Sequence, residues 1–296
     1  MKKLIVITGA TACGKTSVSV ALAQRLQTEI VSCDSRQFYK EMAIGTAKPT
    51  VNEMDGVIHH FVDSHSITDE INAGEFERLA LPLINRLFLT HDNLILTGGS
   101  GLFIDAIVNG FDDMPKIEPE LRLQLNNTFK SKGIEPLFAQ LQSLDPTYAN
   151  SMDSKNPKRI IRALEICLSG PKTYSELRTG QKAHRDFEVQ KIVLDRPREE
   201  LYARINKRVD LMIAEGLEQE VRSLIPFRHL SSLQTVGYRE LFEFFDDEIT
   251  LDRAIELIKQ NSRRYAKRQL TWFRRDSNYN WINADDSNAL YSLIEG

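Results

Sequence analysis

The sequence predicts an α/β protein in which a doubly wound, mostly parallel sheet is interrupted by an inserted all-helical domain. Short apolar runs alternate with helical stretches up to about residue 110, and strand signals then disappear until FEVQKIVLD at 187–195. Such alternation is typical of βαβ units, in which helices cover both faces of the sheet. The chain of 296 residues is long enough for this core and a second, smaller domain.

Each predicted strand is a short apolar run bounded by polar or turn-forming residues. The runs are KLIVIT at 3–8, EIVSCD at 29–34, HHFVD at 59–63, NLILTGG at 93–99 and FEVQKIVLD at 187–195. Apolar residues recur with helical spacing over Lys15–Leu26, Ala73–Phe88, 197–225 and 250–274. We therefore expect a core of residues 1–115 plus 187–296, with a helical insertion at residues 116–186.

The composition excludes several classes of protein. The apolar fraction of 42% and the charged fraction of 27% are ordinary for a globular chain, which argues against disorder or a fibre. No apolar run approaches the ~20 residues of a membrane helix, and no signal peptide is recognised, so we expect a cytoplasmic protein without a membrane partner. Cys13, Cys33 and Cys167 are odd in number and lack a CxxC pair, which predicts reduced thiols.

The charge is distributed unevenly along the chain. The formal net charge is −3, but residues 111–185 carry twelve basic and nine acidic residues. Two basic clusters stand out, KNPKRIIR at 155–162 and RRYAKRQLTWFRR at 263–275. Taken alone, each cluster is equally consistent with a solvated helix face and with a surface for an anionic partner.

The most specific motif lies between the first predicted strand and the first predicted helix. It matches the pattern G-x-x-x-x-G-K-[ST], with Gly9, Ala10, Thr11, Ala12, Cys13, Gly14, Lys15 and Thr16 as the predicted phosphate-binding residues. The glycines let backbone N–H groups turn toward a phosphate, and the helix N-terminus adds a positive dipole. Lys15 would neutralise the outer phosphate, and Thr16 would reach Mg²⁺. The motif predicts a P-loop NTPase-like, nucleotide- or diphosphate-binding core.

The neighbouring strand ends narrow the function. A hydrolase usually ends a central strand with an acidic residue that helps to hold magnesium, whereas LILTGGSG at 94–101 ends in glycines and a hydroxyl. The acidic residue is instead Asp34, directly after the second strand, at the edge where ligands bind in a parallel sheet. By position alone, Asp34 is equally compatible with a turn or a helix cap.

Seven blocks, in order along the chain, carry a family resemblance. They are GATACGKT at 9–16, DSRQFY at 34–39, IGTAKP at 44–49, GGSGLF at 98–103, KRIIRALE at 158–165, QTVGYRE at 234–240 and AKRQLTWFR at 266–274. Together they resemble the tRNA dimethylallyltransferases. The resemblance implies that the P-loop holds dimethylallyl diphosphate with Mg²⁺. It also implies that the prenyl group is transferred to the exocyclic amine of the adenosine 3′ of the tRNA anticodon, with release of diphosphate.

The chemistry of that reaction suggests three catalytic residues. An allylic diphosphate leaves readily once its charge is neutralised, whereas an adenine amine needs a base to accept its proton. Asp34 is the candidate base, and Ser100 could bond the leaving oxygen or that base. Arg208 could reach the diphosphate from the helix after Pro197. Arg204, one turn earlier, is equally consistent with an exposed cation.

The resemblance further implies a set of tRNA contacts. The candidates are Asp34, Ser35, Arg36, Gln37, Ser100, Arg122, Lys158, Arg159, Ile160, Ile161, Arg162, Gln234, Thr235, Val236, Gly237, Tyr238 and Arg239. The basic insertion would clamp the anticodon stem-loop through its phosphates, and the target base would be extruded into a pocket. We expect a monomer.

Three other functions are compatible with parts of the sequence. A P-loop kinase of a nucleotide or small metabolite explains the loop and the sheet but not the downstream blocks. An RNA-binding module that uses a nucleotide as a switch leaves Asp34 and Ser100 without a role. An adenylate isopentenyltransferase acting on free nucleotide keeps the chemistry, but the basic insertion and QTVGYRE favour tRNA.

Overall fold

Six strands form one all-parallel sheet in a computed structural model that describes residues 2–295. In chain order they are β1 (Lys3–Gly9), β2 (Ile30–Ser32), β3 (His59–His60), β4 (Asn93–Gly98), β5 (Glu188–Asp195) and β6 (Tyr279–Asn283). Their order across the sheet is β3-β2-β4-β1-β5-β6. The predicted parallel sheet and its five predicted strands are confirmed, whereas β6 has no counterpart among the predicted strands.

The insertion consists of helices, and further helices lie before and after it in the chain. The helices before it are α1 (Lys15–Leu26), α2 (Val51–Met54), α3 (Ala73–Leu87) and α4 (Gly101–Val108). The helices within it are α5 (Pro119–Lys132), α6 (Glu135–Leu144), α7 (Pro146–Ser151), α8 (Pro157–Ser169) and α9 (Tyr174–Leu177). Those after it are α10 (Arg198–Ala214), α11 (Leu217–Ser223), α12 (Tyr238–Phe245), α13 (Leu251–Phe273) and α14 (Ser287–Glu295).

Both faces of the sheet are covered, as a doubly wound fold requires. Leu4 and Val6 of β1 belong to one apolar cluster, which includes α3, α4 and α12. Ile5 and Ile7 belong to a second cluster, which includes α1 and α14. This alternation follows from the two-residue period of a strand, which sends successive side chains to opposite faces.

The central strand joins distant parts of the chain. Lys3 of β1 is paired with Asn93 of β4 on one side and with Glu188 of β5 on the other. The chain accordingly divides into two compact units, one containing residues up to Asn109 and from His184 onward, the other Gly110–Ala183. The carboxyl ends of β1, β2, β4 and β5 therefore form a single edge of the core sheet, although the insertion separates β5 from the others in sequence.

The inserted unit has an apolar core of its own. Leu125, Leu141, Ile160 and Leu164 are buried together there, with 5% or less of each residue exposed. The helices of the insertion are short, and several begin with Pro or are capped by Asn, Asp or Thr. The tRNA-clamp role of this unit stays a prediction.

The helix predicted over 197–225 is interrupted. α10 ends at Ala214, and α11 begins at Leu217 after Gly216, whose φ of +101° is accessible mainly to glycine. Glu220 of α11, which follows this break, accepts hydrogen bonds from the backbone at 43–45, as described below. Among residues 2–295 the structure contains no helix that is both long and apolar enough to span a membrane.

Candidate active site

The P-loop lies between the end of β1 and the start of α1. Gly9 has a φ of +147°, and a Cβ there would lie 2.5 Å from the carbonyl oxygen of Leu194, so a side chain does not fit. Lys15 Nζ donates to the carbonyl oxygens of Gly9 and Ala10 at 3.2 and 2.9 Å. α1 has neither a side-chain cap nor an acidic residue in its first turn, so its N-terminal amides can receive an anion.

Two arginines brace this loop from outside. Arg196 Nε donates to the carbonyl oxygen of Cys13 at 2.7 Å, and its Nη1 lies 2.6 Å from Asp285. The hydrogen bond to Asp285 raises the pKa of Arg196 despite partial burial. Arg204 Nε, on an exposed side chain, donates to the carbonyl oxygen of Ala12 at 2.9 Å. Sequence reasoning missed Arg196, for which the only signal is its position directly after a strand.

Arg208 differs from these two arginines because its guanidinium is incompletely partnered. Its Nη2 donates to the hydroxyl of Thr11, but its Nε is buried and has no hydrogen-bond partner within residues 2–295. Burial lowers the pKa of Arg208, while the carboxylate of Asp34 acts in the opposite direction. A buried N–H without a partner is costly unless an anion completes the site. The environment of Arg208 therefore fits a phosphate group beside the P-loop.

Asp34 and Ser100 follow the adjacent strands β2 and β4, so they meet at the carboxyl edge of the sheet. Ser100 Oγ accepts the N–H of Ser35 at 3.2 Å, and Asp34 Oδ1 accepts the N–H of Arg36 at 3.0 Å. The charge of Asp34 acts on Arg208, which places the carboxylate near the anion site. One carboxylate oxygen thus stabilises the turn while the other is available to accept a proton.

Gln269 of α13 connects two loops of the site. This side chain is buried, with 6% of the residue exposed. Its Oε1 accepts the N–H of Thr11 in the P-loop at 2.8 Å, and its Nε2 donates to the carbonyl oxygen of Gly99 at 2.9 Å. In the sequence this segment stands out as a basic cluster and as the AKRQLTWFR block, and neither pattern assigns a role to Gln269.

Two aromatic residues share this face of α13, because positions four and three residues apart lie on one side of a helix. Burial and then the charge of Asp34 raise the pKa of Tyr265 to about 12, while a hydrogen bond with Ser100 acts against this rise. Trp272 packs against Gly101, where a Cβ would lie 2.3 Å from the indole ring. The spacing of Tyr265, Gln269 and Trp272 is the sequence signal that could have placed this face at the site.

The IGTAKP and QTVGYRE blocks meet at one half-buried carboxylate, that of Glu220. Glu220 accepts the backbone N–H groups of Ala43, Ile44 and Gly45 at 2.9, 2.7 and 3.0 Å. It also accepts the hydroxyl of Tyr238 at 2.6 Å. A Cβ on Gly45 would lie 2.6 Å from the Tyr238 ring, so the two segments are in close contact. Burial, and then Glu220, raise the pKa of Tyr238 well above its ordinary value.

Hydrogen bonds also join the IGTAKP segment, at 44–49, to the segment that follows Asp34. Gln37 Nε2 donates to the carbonyl oxygens of Thr46 and Ala47 at 3.3 and 3.0 Å. Lys48 Nζ donates to the carbonyl oxygen of Tyr39 at 2.7 Å, and only 5% of its side chain is exposed. Lys48 is therefore a structural cation in this fold rather than a surface charge.

Burial corrects part of the predicted tRNA surface. Ile160 and Ile161 lie in the core of the insertion, and Tyr238 is fully buried beside Glu220. These side chains offer no surface to RNA, because they already pack inside the protein. Gly237 is buried too, and Thr235 and Val236 are half-buried. The exposed candidates are Arg122, Lys158, Arg159, Arg162, Gln234 and Arg239.

The four cations of the insertion that are predicted to contact tRNA fall into two groups. Arg122 Nε and Arg162 Nη1 lie 2.7 and 3.2 Å from the carboxylate of buried Glu165. Lys158 and Arg159 are exposed in the first turn of α8, where there is no acidic residue. Cations at a helix N-terminus oppose the helix dipole, so the local structure gains nothing from these two. Their position suits an external anion.

The chemistry of the P-loop fits a magnesium ion that arrives with a phosphate. Within residues 2–295, no group of three or more His, Cys, Asp or Glu side chains is arranged to hold a metal. Magnesium is commonly held by one or two protein oxygens, with phosphates and waters completing the octahedron. Thr16, half-buried in the first turn of α1, is the hydroxyl that the motif provides for this purpose.

Known sequences resemble this chain over its whole length. The family model described as IPP transferase matches residues 37–276. A tRNA dimethylallyltransferase of Flavobacterium johnsoniae is 47% identical, with 100% of this chain and 98% of the relative covered. One from Cytophaga hutchinsonii is also 47% identical, with 99% and 97% covered.

Solved structures that resemble this chain are also tRNA prenyl transferases. The tRNA isopentenylpyrophosphate transferase of Bacillus halodurans is 39% identical with a TM-score of 0.73, covering 100% of this chain and 94% of that one. A eukaryotic dimethylallyltransferase, crystallised acting on tRNA, is 26% identical with a TM-score of 0.84, covering 99% and 78%. With its P-loop core and full-length similarity to these enzymes, the chain belongs to the IPP transferase family.

Proposed function

We propose that this chain transfers a dimethylallyl group from dimethylallyl diphosphate to the exocyclic amine of the adenosine 3′ of the tRNA anticodon, releasing diphosphate. The observation that carries the proposal is an anion site beside a carboxylate: Lys15 and Arg208 lie at the P-loop, with Asp34 at a neighbouring strand end. The relatives are tRNA dimethylallyltransferases, which supports this reaction over the kinase, RNA-switch and free-nucleotide alternatives.

The P-loop side of the site stabilises the leaving group. As the allylic C–O bond breaks, negative charge builds on the diphosphate, and the α1 amides, Lys15 and Arg208 neutralise it. Lys15 bonds two loop carbonyls, so its ammonium is already held at the loop where the phosphates bind. Mg²⁺ held by Thr16 and the phosphate oxygens would add further charge neutralisation. The unpaired Nε of Arg208 becomes satisfied by a phosphate oxygen.

The adenine amine, which accepts the prenyl group, approaches the reacting carbon from the side opposite the diphosphate. The lone pair of the adenine amine forms the new C–N bond, and Asp34 accepts the proton that the amine loses. Asp34 can do so because Arg36 N–H occupies only its Oδ1. Ser100 bonds the N–H of Ser35 and so stabilises the turn that presents this carboxylate.

The tRNA itself is bound mainly through phosphates. Lys158 and Arg159 contribute two exposed charges at the start of α8, and Gln234 and Arg239 are exposed on the core. Contacts of this type position an RNA without reading its sequence, and they weaken with salt. We extend the proposal to a monomer that works in the cytoplasm, where tRNA is modified and where free thiols such as Cys13 stay reduced.

A product assay tests the reaction directly. The purified protein is incubated with Mg²⁺, dimethylallyl diphosphate and unmodified tRNA, with AMP and ATP as parallel acceptors, and nucleosides are analysed by mass spectrometry. Prenylated adenosine found only with tRNA is the expected result. Product with AMP or ATP would replace tRNA by free nucleotide as the acceptor, and phosphoryl transfer without prenyl product would favour the kinase.

The base is tested by an isosteric substitution. Asp34→Asn keeps the turn but removes proton-accepting ability, so transfer should fall by about 10²–10⁴-fold while tRNA and diphosphate still bind. Asp92→Asn is the matched control, because the Asp92 side chain is 85% exposed and pairs with Lys2. A near-normal rate in Asp34→Asn removes Asp34 from the base role.

A further inference from the structure

A buried amide links the two halves of the candidate site. Gln269 bonds Thr11 in the P-loop through Oε1 and Gly99, next to Ser100, through Nε2. Both partners are backbone groups, so the bonds constrain the loops themselves rather than two side chains. The leaving group is assigned to the first loop, and Ser100 belongs to the second. One side chain thus spans the distance between the regions that must act on opposite sides of the reacting carbon.

The same bond changes which amides are available to the phosphates. The N–H of Thr11 points to Gln269 at 2.8 Å, so it is already used before any ligand binds. The N–H of Cys13 donates to the carbonyl oxygen of Ala10 at 3.2 Å. We therefore expect the diphosphate to be met by amides at the start of α1, those of Gly14, Lys15 and Thr16.

The amide of Gln269 lies directly against the backbone of Gly99. A Cβ on Gly99 would lie 2.2 Å from Gln269 Nε2, well inside van der Waals contact. A side chain at residue 99 would therefore have to displace the Gln269 amide, although the backbone of Gly99 is not left-handed. Gln269 also lies one turn along α13 from Tyr265.

We propose that Gln269 is a positioning residue, which sets the distance from the P-loop to the Gly99–Ser100 turn and keeps the Thr11 amide out of the phosphate-binding set. The proposal rests on the proposed prenyl transfer for its kinetic effect, but its structural claim does not. Gln269 touches no reacting atom and acts through the two loops.

The structural claim is tested by amide hydrogen exchange, read by NMR at Thr11 and Gly14. In the unsubstituted protein, Thr11 should be protected with or without magnesium diphosphate, whereas Gly14 should gain protection only when diphosphate is added. In Gln269→Leu, Thr11 should lose its protection in the free protein and recover it with diphosphate. A Thr11 amide that exchanges equally in both proteins overturns the claim, whether or not the protein transfers a prenyl group.

The kinetic claim is tested by separating binding from the transfer step. Misplacing a reacting group by about 1 Å can cost on the order of 10²-fold in rate. We expect a loss of this size in single-turnover transfer by Gln269→Leu, while the Kd for diphosphate changes little. Two buried hydrogen bonds are lost, so the thermal midpoint should fall, and rates are compared well below the unfolding transition of each protein. A loss of diphosphate binding as large as the loss of rate would mean that Gln269 only supports the fold. Thr271→Ala, an exposed position on the same helix, is the control.

Gly99→Ala tests the link from the other side. The added methyl should displace the amide and lower the single-turnover rate about as much as Gln269→Leu does. In the Gln269→Ala background there is no amide to displace, so Gly99→Ala should then cost almost nothing. Additive losses in this double-mutant cycle would contradict the proposed link. An inactive unsubstituted protein would instead count against the proposed function, and the exchange experiment would still decide the role of Gln269.

Discussion

The core and the insertion hold their positive charges in different ways. In the core, the Nε of Arg208 is buried at the P-loop and has no hydrogen-bond partner in the described part of the chain, whereas Arg196 is bonded to Cys13, Glu200 and Asp285. In the insertion, Lys158 and Arg159 are exposed. Buried charges demand one anion in one place, whereas exposed charges attract a polyanion over a wide surface. The contrast supports the proposal that the diphosphate binds the core and that RNA phosphates bind the insertion.

Removing the buried charge should give the largest effect. Arg208→Met deletes the guanidinium that meets the leaving group, so transfer should fall on the order of 10²–10³-fold and diphosphate should bind more weakly. Arg204→Met, which loses only an exposed bond to the Ala12 carbonyl, should cost much less. Single-turnover rates and diphosphate titrations measure both. A larger loss in Arg204→Met would reverse the assignment of these two arginines.

Removing the exposed charges of Lys158 and Arg159 should have a smaller effect, and the quantity that changes should be the affinity for tRNA. Lys158→Ala with Arg159→Ala should weaken tRNA binding and reduce the slope of log K against log salt by roughly 0.7–0.9 for each lost phosphate contact. Diphosphate affinity should not change. Lys130→Ala with Lys132→Ala removes equal charge from the end of α5, and it serves as the control. An equal change in slope for both pairs would mean that Lys158 and Arg159 attract tRNA only through the overall charge of the insertion, and that they form no specific phosphate site.

Disturbing the internal ion pairs of the insertion should affect its stability rather than its chemistry. Glu165→Gln weakens the bonds to Arg122 and Arg162, whose side chains are 49% and 44% exposed. Because solvent screens the arginines, we expect a loss of about 1–2 kcal/mol. Urea unfolding and limited proteolysis measure this loss, with exposed Asp113→Asn as the control. Impaired diphosphate binding in Glu165→Gln would contradict the expectation that the effect is confined to the insertion.

The smallest expected effect concerns alkaline stability of the core. Burial, followed by Asp34, raises the pKa of Tyr265 to about 12, whereas in the unfolded chain it titrates near about 10. Between these values the folded state binds more protons, so Tyr265 lowers stability as the pH rises. Tyr265→Phe should therefore lose less stability than the unsubstituted protein between about pH 9 and 11. Equal losses in urea unfolding at both pH values would contradict this expectation.

The fold was largely accessible from sequence because its strands are apolar and its helices begin with clear signals. The α1 bounds, Lys15–Leu26, agree with the prediction, since the P-loop marks the helix start. β6 escaped because YNWIN at 279–283 alternates polar and apolar residues too briefly to stand out at an edge. The break at Gly216 escaped because apolar spacing continues across it.

Residues of the candidate site could be predicted from sequence only where the residue type and its local pattern indicate a chemical role. The P-loop and Asp34 could be placed from local pattern, and Arg208 from its helix. Glu220 and Gln269 could not be placed in this way, because their partners are distant in the sequence. Glu220 accepts the amide of Gly45, 175 positions away, and Gln269 accepts the amide of Thr11, 258 positions away. The buried Ile160 and Tyr238 show the opposite error, in which a block that resembles a tRNA-contacting stretch also contains residues that pack inside.

The discontinuous core has a consequence for synthesis on the ribosome. β1 is synthesised before its neighbour β5, which follows the insertion, and Gln269, the partner of Thr11, is synthesised later still. Domains fold as units when their contacts become available during translation. The insertion, whose apolar core lies within Gly110–Ala183, can therefore fold while the central strand still lacks one partner. The P-loop reaches its final form only when α13 has emerged, so the anion site is among the last parts of the chain to be completed.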